Sequence, residues 1–320
     1  MKELICMRIG IVVDSACDLP QSYLQRNNII LLPISVRIGH TLLADQRDEK
    51  ATLNFLAGPL SEQGAEAETI PYDAAQIQAL FLEHLVTDFD QVFCLTITRT
   101  RSPLYDSVVQ ASYTILNEYK PIRQAAGYNS PFGLRVIDSQ NLFAAQAVSA
   151  VEAVRLRDNG AGVPQMRQRL EQVTANVHGY MVTRDLYYMR ARARHKGDRS
   201  VGLFSAALGS ALDIKPVLHG HRGETAPVAK IKGFDNAVQT LFEFVGKRVA
   251  RGLMTPVVSI SYGGPLEELR LLPGYRELRD TCDAHGVTMM EALMSLTGMV
   301  NVGKGAVTIG FADEPHRFGS

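Results

Sequence analysis

The sequence predicts an α/β protein of two domains, with a largely parallel sheet in the first and a mixed sheet in the second. Three observations predict it. Short apolar runs rich in β-branched residues recur in the first half and end abruptly in polar loops, as strands buried on both faces do. Segments of helical spacing separate these runs, and alternating strands and helices imply a layered α/β architecture. Gly and Pro then cluster in Asn159-Gly160-Ala161-Gly162-Val163-Pro164, and the second half is differently made. The boundary therefore falls near residue 160, giving domains 1–160 and 161–320.

The chain opens with Ile9, Ile11, Val12 and Val13, a buried strand that stops at Asp14-Ser15, whose side chains suit a turn. Asp18, two residues before Pro20, marks the N-cap region of a first helix. Residues 29–36 form a second apolar run, and 37–43 a small hairpin turning at Gly39. A helix over 48–59 and a polar loop over 64–71 come after it. Ile77, Leu80, Phe81 and Leu85 give 73–85 helical spacing. The run 92–97 is another buried strand, followed by the polar loop 98–101. Ser102-Pro103 opens the next helix, Ser as cap and Pro at the first helical position. Leu134-Arg135-Val136-Ile137 leads into Asp138-Ser139, echoing Asp14-Ser15, and a helix covers 142–157. Several strands thus finish on one polar edge, where open parallel sheets bind ligands.

In the second half, 177–183 is strand-like, 185–193 is a basic helical stretch, and 206–212 is small and apolar. Residues 215–218 and 226–231 flank His219-Gly220-His221-Arg222-Gly223-Glu224, a hairpin signal. An amphipathic helix over 234–251, a strand over 257–262, a Gly-Gly-Pro turn and a helix over 266–284 come next. Late strands occupy 287–293 and 306–311.

Composition narrows the function classes. The 33 basic and 33 acidic residues among 320 give zero net charge, which excludes a bulk electrostatic binder of nucleic acid. No apolar stretch reaches the roughly 20 residues of a membrane span, so no integral membrane insertion is expected. The first residues are too short and interrupted for a signal peptide, and the four scattered cysteines suit reduced thiols. Both point to the cytoplasm. No Gly-x-Gly-x-x-Gly comes after the first strand and no phosphate loop is present, so a nucleotide cofactor lacks its fingerprint.

The candidate residues carry two readings each. Asp14, Ser15, Asp138 and Ser139 either hold a ligand or stabilise turns. Ser102 either seats an anion at a helix N-terminus or simply caps it; Arg99 and Arg101 strengthen the anion reading through fork-like carboxylate binding. The basic run Arg184, Arg190, Arg192, Arg194, His195, Lys196 is either a solvated face or one Arg turned inward to a carboxylate. His219 and His221 alternate as metal ligands do, but with no carboxylate or Cys cluster they suit a hairpin tip, and no metal is expected. Cys17 suits an inert buried thiol better than an activated one. Met289, Met290, Met294 and Met299 either pack the core or line irregular apolar space.

Five segments in order resemble the DegV family of bacterial lipid-binding proteins over nearly the whole chain. Val13-Asp14-Ser15-Ala16-Cys17-Asp18-Leu19-Pro20 resembles its Asp-Ser-x-x-Asp-Leu-Pro signature, and Val136-Ile137-Asp138-Ser139 its second Asp-Ser. Leu186-Tyr187-Tyr188-Met189 through Arg194 is similar to the segment that ends in Gly-Gly-Arg, with Arg194 on the Arg. Leu212-Asp213-Ile214-Lys215-Pro216-Val217-Leu218 resembles Asn-Ile-Lys-Pro-Ile-Leu, and Pro227 to Lys232 with Ala237 matches the family's segment after its hairpin. The resemblance implies a two-domain DegV-like fold holding a long-chain fatty acid, its carboxylate between the domains and its chain in an apolar tunnel. It implies a carrier rather than an enzyme, with no cofactor, which presents the acid to an ATP-using fatty acid kinase subunit.

The head-group loops depart from the family. Glu68-Thr69-Ile70-Pro71 stands for Thr-Ser-Gln-Pro, Thr98-Arg99-Thr100-Arg101-Ser102-Pro103 for Ser-Ser-x-x-Ser-Gly, and Asn301 for a His. The expected cradle is therefore Glu68, Thr69, Thr98, Arg99, Ser102, Arg194 and Asn301. In it Arg99 and Arg194 clamp the carboxylate, Asn301 donates a bond and Glu68 orients an Arg. The competing arrangement pairs Glu68 with Arg99 and redirects the site to another lipid. The rivals are an enzyme acting on a small carboxylated or phosphorylated substrate at the inter-domain cleft, and a regulatory protein that binds a partner through residues 184–196.

Overall fold

The computed structural model describes residues 7–196 and 213–319. The apolar run 206–212, Leu212 included, lies outside the described residues. In chain order the first elements are β1 (Ile9–Asp14), α1 (Gln21–Arg26), β2 (Ile29–Leu32), β3 (Ile34–Ile38), β4 (Thr41–Asp45), α2 (Glu49–Ala57) and β5 (Glu68–Pro71). Then come α3 (Ala74–Leu80), β6 (Gln91–Thr96), α4 (Leu104–Ala125), β7 (Gly133–Asp138), α5 (Phe143–Asp158) and α6 (Val163–Thr174). The rest are β8 (Val177–Val182), α7 (Leu186–Lys196), β9 (Ile214–His221), β10 (Glu224–Lys232), α8 (Phe234–Arg251) and β11 (Val257–Tyr262). They are succeeded by α9 (Leu266–Arg270), α10 (Tyr275–Ala284), β12 (Thr288–Leu293), α11 (Leu296–Val302) and β13 (Val307–Ala312).

The first sheet runs β2-β1-β6-β7, parallel throughout. Its strands are apolar at successive positions because both faces are covered. Val12, Val92 and Cys94 face a core with Ile77, Phe81 and Val108 from α3, the π turn after it and α4. Ile11, Val13, Phe93 and Leu95 face the opposite way, onto Ala147 and Ala150 of α5. The second sheet is mixed, in the order β10-β9-β8-β13-β11-β12; only β11 and β12 run parallel. One face carries Tyr180, Ile309 and Phe311 against Val238, Phe242 and Val245 of α8. The β9–β10 hairpin turns at Arg222 and Gly223, both at positive φ, and its ladder slips at a bulge between Pro227 and Ala229.

Helix α5 lies between the two sheets. Its residues are buried nearly all round, alanines predominating, so it has no solvent face to make it amphipathic. It meets the second sheet at a row of glycines: Gly310 registers with Gly179, and Gly179 with Gly220, across three adjacent strands. A Cβ at Gly310 would stand 2.3 Å from the Ala145 Cα, and one at Gly179 2.6 Å from the Asn141 Oδ1. Only strands lacking side chains there let the helix backbone approach so closely.

Four expectations change. Residues 64–71 are not loop throughout. A 3-10 helix (Pro59–Glu66) gives way to β5, which pairs with β3 in a separate antiparallel sheet, β4-β3-β5. Pro33, with no N–H, divides residues 29–36 into β2 and β3. Pro273 and Gly274 (φ +81°) break the segment 266–284 into α9 and α10. Asp18 does not cap α1, because its buried carboxylate is bonded elsewhere, to Ser295 and Ser261. The amphipathic helix over 234–251 and the strand over 257–262 stand as read.

Candidate functional site

At the carboxyl edge of the first sheet, side chains are turned onto backbone. Asp14 is fully buried and accepts N–H groups from Ala16 (3.0 Å) and Ile97 (2.6 Å) and from the Gln146 amide (3.1 Å). Burial pushes its carboxyl up to about 6 against the pull of these donors. Ser15 Oγ accepts from Ile34 N–H at 2.9 Å, tying β1 to β3. Asp138 accepts from Gln140 N–H at 2.8 Å, and its half-buried carboxyl is also raised, chiefly by burial. Ser139 Oγ donates to the Asn141 carbonyl at 2.9 Å.

Thr98 is buried beside Thr100, 3.2 Å between their hydroxyls, and Thr100 donates to the Gly223 carbonyl at 2.6 Å. The loop after β6 is thus docked on the tip of the β9–β10 hairpin. Ser102 Oγ accepts from Leu104 N–H at 3.3 Å at the start of α4. Arg99 is exposed, pairs with Asp106 at 3.3 Å and lies over the Tyr105 ring.

Between the sheets lies an ionic seam that sequence reasoning missed. Arg47, 3% exposed, donates to the carbonyls of Leu19 (2.9 Å) and Leu293 (2.8 Å) and stands 3.5 Å from Asp18. Asp18 accepts from Ser295 N–H and Ser261 Oγ. Asp45 accepts from the N–H groups of Arg47 (3.2 Å) and Thr297 (2.8 Å). Burial raises both carboxyls, and Arg47 opposes it.

Of the residues expected to form the cradle, Glu68 and Asn301 lie beside α7, whereas Thr98, Arg99 and Ser102 stay with the loop after β6 and the start of α4. Arg194 is exposed, and Arg192, 2% exposed, is the guanidinium turned inward. Two residues along a helix span about 200°, so the two arginines point to nearly opposite faces. Tyr188, one turn before Arg192, fits between Gly64 and Gly303, where a Cβ would crowd its ring, and donates to the Val300 carbonyl at 2.9 Å. That wedge fixes α7 against the 3-10 helix and α11. Arg192 then donates to Asn301 Oδ1 (3.3 Å from both Nε and a terminal nitrogen) and to the Ala67 carbonyl. Burial lowers its pKa, with Tyr188 and Glu68 opposing.

Glu68 does not pair with Arg99. It is exposed on β5 and bonded to Arg37 on the neighbouring strand, which holds its carboxyl below the usual range. Thr69 is half-buried beside it. Asn301 supplies Oδ1 to Arg192 and donates its amide to the Thr297 carbonyl at 2.7 Å. Among the described residues, Arg192 is a buried cation held by neutral oxygens.

Beneath it lies an apolar cluster drawn from both halves of the chain: Leu56 and Phe143 with Met189, Leu218, Met294 and Met299. Met289 belongs instead to the core under α8, and Met290 packs beside β1. Cys17 is buried, and burial keeps its thiol protonated. Among the described residues, no cluster is arranged to hold a metal ion, and no helix is long and apolar enough to cross a membrane.

Residues 8–314 match the DegV family, described as uncharacterised proteins. A DegV domain-containing protein of Xanthomonas axonopodis pv. citri is 62% identical over 312 residues, 98% of this chain and 99% of its own. A solved DegV lipid-binding protein from Thermotoga maritima superposes with a TM-score of 0.73 at 22% identity, over 97% of this chain and 100% of that one. A fatty acid (stearic acid)-binding protein from Eubacterium ventriosum gives a TM-score of 0.73 at 21% identity, over 96% and 98%.

Proposed function

Because the chain belongs to the DegV family, we propose that it is a cytoplasmic, non-catalytic carrier of a long-chain fatty acid. The carboxylate sits at Arg192, between the units 1–160 and 161–320, and the acyl chain runs along the Met-rich cluster of Phe143, Met189, Met294 and Met299. The observation that carries this reading is Arg192 itself. A buried guanidinium is costly unless paired, and here its partners among the described residues are uncharged oxygens. An entering carboxylate supplies the missing charge and accepts the guanidinium fork. Methionine, unbranched and adaptable, suits a wall that must fit a flexible chain. Burying about 15 methylenes at about 0.8 kcal/mol each supplies roughly 12 kcal/mol before ordering costs. Relatives described as lipid-binding and stearic acid-binding support the same ligand class. The family resemblance extends the reading to presentation of the acid to an ATP-using kinase subunit.

The test is native mass spectrometry of the purified protein with lipid extraction. The expected result is one fatty acid per chain. Arg192→Gln should retain it about ten- to a hundredfold more weakly, the worth of one charge-assisted hydrogen-bonded pair. A protein that neither carries nor takes up fatty acid, or an Arg192→Gln variant with undiminished retention, would overturn the reading.

A further inference from the structure

Four of the chain's eight histidines form one column. His178 on β8 registers with His221 on β9 and with Phe311 on β13, so their side chains share a face of the second sheet. The His178 and His221 rings stack at 4.2 Å with 5° between planes. His219, one side-chain pair further along β9, stacks on Tyr180 at 4.5 Å. His316 comes from the segment after β13 and closes the column over His178, 4.1 Å between ring centres. Phe318 continues onto Phe244 of α8, at 4.6 Å.

The hydrogen bonds can all be satisfied with every ring neutral. His178 Nε2 donates to the Asp313 carbonyl (3.2 Å), leaving Nδ1 to accept from His219 Nε2 (2.9 Å). His221 Nδ1 donates to the Val177 carbonyl (3.0 Å). His316 Nδ1 donates to the Glu314 carbonyl (2.7 Å), so its Nε2 accepts from the Tyr180 hydroxyl (3.0 Å). A proton added at His178 Nδ1 or His316 Nε2 removes an acceptor, and a second proton on a neighbouring ring sets like charges against each other in the stack.

We propose that this column is a proton-operated latch: neutral, it holds residues 314–319 against the second sheet, and protonated, it releases them. Burial and the neighbouring imidazoles hold His178 down at about 2 and His219 at about 4, and burial draws His316 below its ordinary value. Rings that resist protons when latched and accept them near 6.5 when freed make the latch complete above about 6.5 and weaken it as pH falls.

The charged groups around the column set the pivot. Asp313 is held by Arg248 of α8 at 2.6 Å and by its own N–H on the Asn176 carbonyl at 3.0 Å, so it stays in place. Its carboxylate lies 3.7 Å from His316 and works against release, but it is already shared with Arg248, which works for it. From the hairpin, Arg222 donates to the Ala175 carbonyl. On the segment itself, Glu314 uses its carbonyl on His316.

Hydrogen exchange of the full chain, read by mass spectrometry from pH 7.5 to 4.5 and corrected for intrinsic rate, tests the latch. Opening of residues 314–319 should rise about tenfold per pH unit below 6 for each ring freed, while β8 keeps its protection. His316→Gln, which can still accept from Tyr180 but cannot titrate, should lower that slope by about tenfold per unit. Should His316→Gln lose protection throughout the chain, His219→Gln reads the same loss of slope. A segment whose opening ignores pH, or whose slope is unchanged in the variant that folds, would overturn the latch.

Discussion

Arg47 stands outside any helix or strand, at φ +58°, and holds two buried carboxylates from one side and two carbonyls from the other. Removing it leaves Asp18 and Asp45 buried with their charge uncompensated. Arg47→Met should therefore cost about 3–5 kcal/mol in urea unfolding at neutral pH. The loss should shrink in acid, because carboxyls with raised pKa bind protons more tightly folded than unfolded, so stability is regained as pH falls towards the ordinary carboxylate value. An equal loss at pH 5 and pH 8 would contradict this. Little of the seam was legible in the sequence: Asp18 belongs to a readable signature, but Arg47 acts through residues near 19 and 293, brought together only by folding. Arg192 and Arg194 teach a related lesson. The motif resemblance falls on Arg194, which is exposed, while the phase of α7 buries Arg192.

The contact of α5 with the second sheet is one of backbone on backbone. Gly310→Ala would place a methyl group against the main chain of Ala145, which cannot move aside as a side chain can. The expected cost is about 3 kcal/mol or more. Gly252→Ala meets nothing and should cost only about 1 kcal/mol, through its φ of +96°. Urea midpoints of the two variants check the difference; equal shifts would mean that α5 has room to lift. The glycines carried a usable signal, since a lone Gly within a strand marks close approach. The identity of the approaching element was not readable, because helix and strands are distant in sequence. The helix over 234–251 was legible in full, as it shows one face to a core and the other to water. Strand β5 was not, being four residues long and half exposed.

At the scale of the molecule, α5 belongs to the cores of both sheets. Neither sheet buries its inner face without it, so chemical unfolding should be a single transition, with β1 and β13 equally protected in hydrogen exchange. Two separated transitions would contradict that. With 33 charges of each sign, the chain has no net repulsion to keep copies apart at neutral pH. Protection from clumping then falls to local shape, and β10 is where it is needed, as a nine-residue strand that, among the described residues, stands at the edge of the larger sheet. Its bulge between Pro227 and Ala229 interrupts the row of groups another strand would dock on, and exposed Lys230 and Lys232 repel a second copy of themselves. Replacing Pro227 with Val and both lysines with Thr should make the protein scatter light at concentrations where the natural chain stays clear.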